Sequence, residues 1–166
     1  VSRWSRVAGV LPAEPSPIGN IAAVCVAVGA NGGIPNHPHW PSIVYPGALP
    51  PGTPIERIKA LYEVNGWFRV WDWTVFDYHH FHPDAAEALT VAQGSAVLHL
   101  GGPGGPQRRV TAGDALVLPP GFGHKRVSSD DAFRVGGGYP EGQEGRTILE
   151  AGALEMGEKK EEVKGG

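Results

Sequence analysis

Two histidines separated by one residue, His80 and His82, are followed by a carboxylate at Glu87 and much later by a third histidine, His124. Residues two apart on an extended strand point to the same side, so both imidazoles of the pair face one direction. Glu87 can fold back beside them, and His124 must come from another strand. Three imidazoles and one carboxylate suit a divalent transition metal with coordination positions left open. The pattern therefore predicts a metal site built between strands.

From Trp67 onward, short apolar runs alternate with turn residues, as in an all-β protein. Candidate strands cover residues 67–76, 78–82, 87–92, 95–100, 107–110, 115–118, 123–128 and 132–138. The 25 glycines and 16 prolines of the 166-residue chain fit frequent turns better than a helical bundle. This spacing predicts one domain with a sandwich or barrel of short strands.

The part of the chain before the barrel pattern is irregular and rich in proline. Residues 1–20 read as an arm, residues 21–28 have the length and content of a buried strand, and residues 43–45 suggest a short one. Cys25 lies in the first of these strands, and we expect it to be a small buried side chain. The charged segment 151–166 lacks aromatic residues and is expected to form a frayed helix or a flexible tail.

One helix is signalled between the arm and the barrel. Thr53 is the expected N-cap, with Glu56 completing a capping box, and Asn65-Gly66 supplies the stop. An apolar stripe at helical spacing predicts packing against the outside of a sheet. The stripe consists of Ile55, Ile58, Leu61 and Tyr62.

Charge and cysteine content exclude several functional classes. The net charge of −3 does not suggest the positively charged surface that binds nucleic acid. The apolar run at residues 21–28 is too short to span a bilayer, so no membrane partner is expected. Because Cys25 is the only cysteine, no intrachain disulfide can form, and a cytoplasmic location is expected.

Two motifs resemble those of the cupin superfamily. The first is His80-x-His82-x4-Glu87-x6-Gly94, and the second is Gly113-x5-Pro119-x-Gly121-x2-His124. The first motif of the family usually opens with glycine where this chain has Thr74, and the second usually closes with asparagine where this chain has Ser128. Neither position belongs to the ligands of the family, so the resemblance of the metal site is unaffected.

The cupin resemblance implies an all-β, double-stranded β-helix (jelly-roll) barrel. Residues 1–50 would form an N-terminal arm packed on a barrel at 51–150, with the first motif at 80–94 and the second at 113–128. The resemblance also implies that one divalent transition metal ion (Fe, Mn, Ni, Cu or Zn) is bound inside the barrel. Its implied ligands are His80, His82, Glu87 and His124.

Four further segments are similar to the small single-domain cupins of the YjlB-like group. These segments are Ile34-Pro35-Asn36, Asn65-Gly66-Trp67, Tyr78-His79-His80-Phe81-His82 and Gly138-Tyr139-Pro140-Glu141-Gly142. They extend the resemblance to nearly the whole chain and add little about the reaction.

Three functions are compatible with the motif residues. The leading prediction is a metal-dependent oxidoreductase, dioxygenase-like, acting on a small oxygen-rich substrate that chelates the metal. The alternatives are a redox-neutral metal-dependent isomerase or lyase and a non-catalytic cupin that binds a small molecule. A shared fold does not choose among these reactions.

Strand parity gives candidates around the metal. Tyr78 shares the face of His80 and is a candidate acid, although packing alone would also explain it. Arg126 shares the face of His124 and is a candidate substrate-binding residue, with a protein carboxylate as the alternative partner. His79 faces the opposite way. The pair in His37-Pro38-His39 is a candidate surface metal site or an ordinary loop.

If the strand from residue 67 is unbroken, its three tryptophans share one face. Trp67, Trp71 and Trp73 would then form an apolar surface that needs a cover. Either the arm before residue 50 covers them or a partner subunit does, and we expect a homodimer through this region.

Overall fold

The structure, a computed structural model, describes residues 9–143 and residue 147, and the segment 151–166 lies outside that range. The described residues form nine strands and one α-helix. In chain order these elements are β1 (Val24–Val26), β2 (Ser42–Tyr45), α1 (Ile55–Val64), β3 (Trp67–Trp73), β4 (Glu87–Gln93), β5 (Ser95–Leu100), β6 (Gln107–Thr111), β7 (Ala115–Leu118), β8 (His124–Ser129) and β9 (Arg134–Pro140). From β4 onward the strands coincide with the predicted ones to within about two residues.

The strands form two antiparallel sheets that enclose the core. The larger sheet has the order β1-β2-β7-β4-β9-β3 and the smaller one β6-β5-β8. The all-β jelly-roll class predicted from the sequence is confirmed. The core between the sheets includes Leu89, Val91, Leu116, Leu118 and Val135, and Phe133 packs against it.

The arm before residue 50 contributes strands to the barrel wall. β2 pairs with β7 of the larger sheet, and β1 pairs with β2 at its edge. The predicted strand at 21–28 is shortened to Val24–Val26. Cys25 is exposed on this edge strand, so the expectation that it is buried is wrong. Val24 and Val26 alternate with Cys25 and pack on the core, which leaves the thiol on the outer side.

Helix α1 packs on the outer face of the larger sheet, as its apolar stripe predicts. Ile55, Ile58 and Tyr62 are buried there with Ala88 of β4. The predicted capping box is wrong: Pro54 is the N-cap, and the Thr53 hydroxyl donates instead to the carbonyl of Pro50. No helix among the described residues is long and apolar enough to cross a membrane.

A bulge in β3 separates the tryptophans that parity places on one face. Arg69 has a φ of +53°, and the pairing with β9 shifts by one residue between Phe68 and Trp71. The extra residue reverses the alternation. Trp67 therefore packs with α1 on the outside, while Trp71 packs on the core between the sheets.

The prediction that the three tryptophans share one face is therefore wrong, and it no longer supports a homodimer. Trp73 is 41% exposed, and Trp40 in the arm is 63% exposed. The homodimer remains a prediction, and a light-scattering mass equal to one chain would contradict it.

Candidate metal centre

The four residues implied as ligands converge from both sheets. Glu87 opens β4 of the larger sheet and His124 opens β8 of the smaller one. The predicted strand at 78–82 is reduced to a single bridge, in which the backbone N–H groups of His80 and His124 donate to each other's carbonyls at 3.2 and 3.0 Å. The carbonyl of His82 accepts from the N–H of Gly121 at 2.8 Å. The two motifs are thus held side by side by backbone hydrogen bonds.

All four side chains point into the barrel and are almost completely buried. His80, Glu87 and His124 are each 1% exposed, and His82 is 3% exposed. One nitrogen from each of the three imidazoles lies within 4.8 Å of the others. The Glu87 carboxylate lies between two of them, with Oε1 3.1 Å from His124 Nε2 and Oε2 3.2 Å from His82 Nε2.

Backbone carbonyls fix the orientation of two of the rings. His80 Nδ1 is 3.0 Å from the carbonyl of Tyr78, and His124 Nδ1 is 3.3 Å from the carbonyl of Phe122. A carbonyl only accepts, so each Nδ1 carries the proton and donates it. This arrangement directs Nε2 of each ring away from the backbone, as in histidines that bind metal.

The donor set fits a divalent cation. With its proton on Nδ1, His124 presents the Nε2 lone pair to a carboxylate oxygen, so the pair requires a shared positive charge, either a proton or a metal ion. Nitrogens bound at about 2.0–2.1 Å to neighbouring positions of one first-row ion lie about 2.9–3.4 Å apart, so the three imidazoles, now within 4.8 Å of one another, would move inward on binding it. The three buried imidazoles can therefore hold one metal ion, and Glu87 remains a predicted fourth ligand.

A small cavity adjoins His80, Glu87 and His124, and the rest of its wall comes from residues 71–76. The wall residues are Trp71, Thr74, Val75 and Phe76. The space totals about 170 Å³. Sequence reasoning missed Trp71 because the bulge that turns it inward leaves no recognisable pattern. The coil after Trp73, which interrupts the predicted strand 67–76, brings Phe76 into the wall.

Tyr78, the candidate acid, packs beside the metal centre and is not among the residues lining the cavity. Its ring stacks on Phe76 with centroids 4.8 Å apart and meets the ring of His80 edge-on at 5.8 Å. Burial, and to a lesser extent the neighbouring charge of Asp77, raises the pKa of Tyr78 to about 12. The hydroxyl therefore keeps its proton across the physiological range, and its acid role remains a prediction.

Arg126, the candidate substrate ligand, binds the wall segment. Its Nε donates to the carbonyl of Val75 at 3.0 Å, and its backbone N–H donates to the carbonyl of Phe76 at 2.8 Å. The guanidinium also donates to the hydroxyl of Ser129. Arg126 thus ties residues 75–76 to β8, and its role in binding substrate remains a prediction.

The other histidines lie apart from this group. His79 faces away from His80 as predicted, with its ring 4.8 Å from that of His99. Burial, then the charges of His99 and Lys125, lowers the pKa of His79. His37 Nδ1 accepts the backbone N–H groups of His39 and Trp40 and so shapes a loop. Within residues 9–143 and 147, these histidines belong to no group of three potential metal ligands.

Comparison with known proteins agrees with this architecture. The cupin family profile matches residues 78–151. A protein of Bacillus subtilis (strain 168), the uncharacterized protein YjlB, is 42% identical over 112 residues, which are 68% of this chain and 66% of that protein. The match thus spans slightly less than two thirds of the relative.

Similar solved structures are more distant. The DMSP lyase DddQ of Ruegeria pomeroyi DSS-3 is 21% identical over 78% of this chain and 51% of that one, with a TM-score of 0.37. A protein of Klebsiella pneumoniae with a double-stranded β-helix domain is 19% identical over 83% of this chain and 90% of that one, also with a TM-score of 0.37. The profile match and the Bacillus relative show the family, and the chain belongs to the cupins.

Proposed function

We propose that this chain is a metal-dependent oxidoreductase of the dioxygenase type that acts on a small, oxygen-rich, chelating substrate. The observation that carries the proposal is the convergence of three imidazoles and one carboxylate, all at most 3% exposed, inside a barrel. His80, His82, Glu87 and His124 would hold one divalent ion. Four protein donors leave up to two positions of an octahedron for a chelating substrate and oxygen.

A redox-active ion such as Fe(II) would supply the chemistry with oxygen that the side chains of this chain cannot. The protein would bind and orient the substrate and exclude water from it. Trp71, Val75 and Phe76 present apolar surface to the donors, and this surface excludes bulk solvent from the reacting groups. The carbonyls of Tyr78 and Phe122 hold the Nδ1 protons of two imidazoles, which keeps Nε2 available.

The narrow cavity supports a small substrate. Because the space beside His80, Glu87 and His124 totals only about 170 Å³, a large ligand would have to displace part of the wall. Phe76 is the wall residue in ring contact with a proposed ligand, with its centroid 5.1 Å from that of His80. Arg126 restrains the same segment through two backbone carbonyls. The wall therefore limits the size of the substrate.

Metal content and oxygen uptake test this proposal. Untagged protein expressed without added metal is expected to contain close to one first-row ion per chain by elemental analysis. A redox-active ion together with oxygen consumption on a chelating substrate would support the dioxygenase. Stoichiometric zinc without oxygen uptake would favour the redox-neutral isomerase or lyase. Protein that neither contains nor takes up metal would contradict the metalloenzyme.

Replacing Phe76 with alanine is expected to admit larger chelators. Opening the wall should strengthen the binding of tropolone to the metal-loaded protein by about tenfold or more, since pockets discriminate by steric fit. The affinity for oxalate, which is smaller, should change by less than about threefold. Isothermal titration calorimetry measures both dissociation constants.

Phe133→Ala is the matched control, because Phe133 packs on the same core and does not border the cavity. It should leave both affinities unchanged. Equal tropolone affinities in the parent and Phe76→Ala would show that the wall does not limit ligand size.

A further inference from the structure

We infer that Asn36, in the N-terminal arm, is a positioning residue that sets the backbone from which His124 reaches the metal. Its side chain is hydrogen bonded to the residue that precedes His124, and its main chain packs against the turn before it. The inference rests on the proposed metal site and adds to it a residue outside both cupin motifs.

Asn36 uses its whole amide group in buried hydrogen bonds. Oδ1 accepts the backbone N–H of Gly123 at 3.0 Å, and Nδ2 donates to the carbonyls of Gly29 and Gly101, each at 3.0 Å. The residue is 4% exposed and adopts a φ of +54°, a left-handed conformation that asparagine tolerates better than most residues. Both the conformation and the buried bonds indicate that this amide is held in one orientation.

The turn before His124 fits against the same loop without room for side chains. A Cβ on Gly121 would lie 2.9 Å from the carbonyl oxygen of Asn36, and one on Gly123 would lie 2.5 Å from the Ile34 side chain. Both distances are too short for a real Cβ contact, so the glycines allow residues 34–36 to approach closely. Close packing against residues 34–36 therefore restricts the conformation of the turn before His124.

The hydrogen bonds continue from Asn36 to the proposed ligands. The carbonyl of Gly123 accepts the N–H of Gly101 at 2.7 Å, so the N–H and the carbonyl of Gly123 are both hydrogen bonded, the first to Asn36 and the second to Gly101, whose own carbonyl Asn36 also binds. The next residue, His124, is bonded through its own backbone to His80. A shift at Gly123 would move the His124 ring relative to Glu87 Oε1, which lies 3.1 Å from its Nε2.

Asn31 provides an internal comparison. Its Nδ2 donates to the same two carbonyls, of Gly29 and Gly101, at 2.9 and 2.8 Å. Its Oδ1, however, accepts the N–H of Gly104, which lies outside both motifs, at 2.6 Å. The two asparagines thus donate to the same two carbonyls and differ in what their Oδ1 accepts. Only Asn36 bonds to the N–H of Gly123, the residue before His124.

The test compares Asn36→Gly with Asn31→Ala in full-length protein. Glycine accepts the φ of +54° without strain, whereas Asn31 does not have a left-handed φ, so alanine suits that position. Each apo variant is first checked for folding by thermal unfolding. Cobalt(II) is then titrated in, because its visible absorption reports coordination geometry, and the imidazole resonances of the apo proteins are recorded by NMR.

Asn36→Gly is expected to bind cobalt about tenfold or more weakly, with altered visible bands and a shifted His124 ring resonance. Asn31→Ala is expected to lose comparable stability and to keep the affinity, the bands and the resonance of the parent. Equal bands and equal His124 resonances in all three proteins would overturn the inference. If the parent binds no cobalt, the proposed function fails, and the His124 resonance alone then decides whether Asn36 positions that ring.

Discussion

Replacing His82 and His124 together with alanine is expected to lower the bound metal from about one ion per chain to below about 0.1. The double change removes two of three imidazole donors, and the remaining His80 and Glu87 cannot compete with water and buffer for a first-row ion. Both side chains contact Glu87 within 3.2 Å, so their loss also leaves the carboxylate without its neighbours. Elemental analysis after dialysis measures the effect.

The matched control is His79→Ala/His99→Ala, which removes the same number of imidazoles from the neighbouring histidine pair. Those rings contact each other and not the proposed donors. The control should retain the metal content of the parent. Equal loss of metal in both double variants would mean that the ion is bound elsewhere or that binding depends on overall stability.

Replacing Gly137 with alanine is expected to destabilise the protein by about 2–3 kcal/mol. Gly137 lies in β9, between β4 and β3 of the larger sheet, and a Cβ there would meet the indole ring of Trp71 closer than atoms can approach. The neighbouring Gly136 and Gly138 face the opposite side, where Cβ atoms would press on Ile55 and Tyr62 of α1. The three glycines thus admit the indole on one face and the helix on the other. Urea unfolding of the apo protein measures the loss.

Gly19→Ala is the control, since a Cβ there meets nothing within 4 Å. It should change the free energy of unfolding by less than about 0.5 kcal/mol. Shortening the indole in Trp71→Leu/Gly137→Ala should recover part of the loss, because the steric conflict is removed. A Gly137→Ala variant as stable as the parent would contradict the packing of Trp71 on this strand.

The sequence predicted the strands from β4 onward and the convergence of four candidate donors. Both predictions depend on local signals: alternating side chains, glycine and proline turns, and fixed motif spacing. His80 and His82 share a face because they are two apart, and Glu87 follows after one turn. The segment 78–82 forms no full strand, but its bridge to His124 and the bond from Gly121 to His82 keep it alongside the second motif, so the two imidazoles still point the same way.

The residues that surround the donors could not be predicted in the same way. One inserted residue near Arg69 reverses the alternation of β3, so Trp71 turns inward and Trp67 turns outward. Arg126 has the predicted parity, yet its guanidinium donates to a carbonyl of the wall segment. Asn36 is hydrogen bonded to Gly123, 87 residues away in the sequence, and no local sequence pattern indicates such a contact.

The most direct test of the proposed metal centre is X-ray absorption at the edge of the bound metal, recorded on untagged, dialysed protein. The structure predicts a shell of nitrogen and oxygen neighbours with outer-shell scattering from three imidazoles. The His82→Ala/His124→Ala variant should lose the metal and with it the signal. A spectrum with no imidazole scattering in the parent would contradict the assignment of His80, His82 and His124 as ligands.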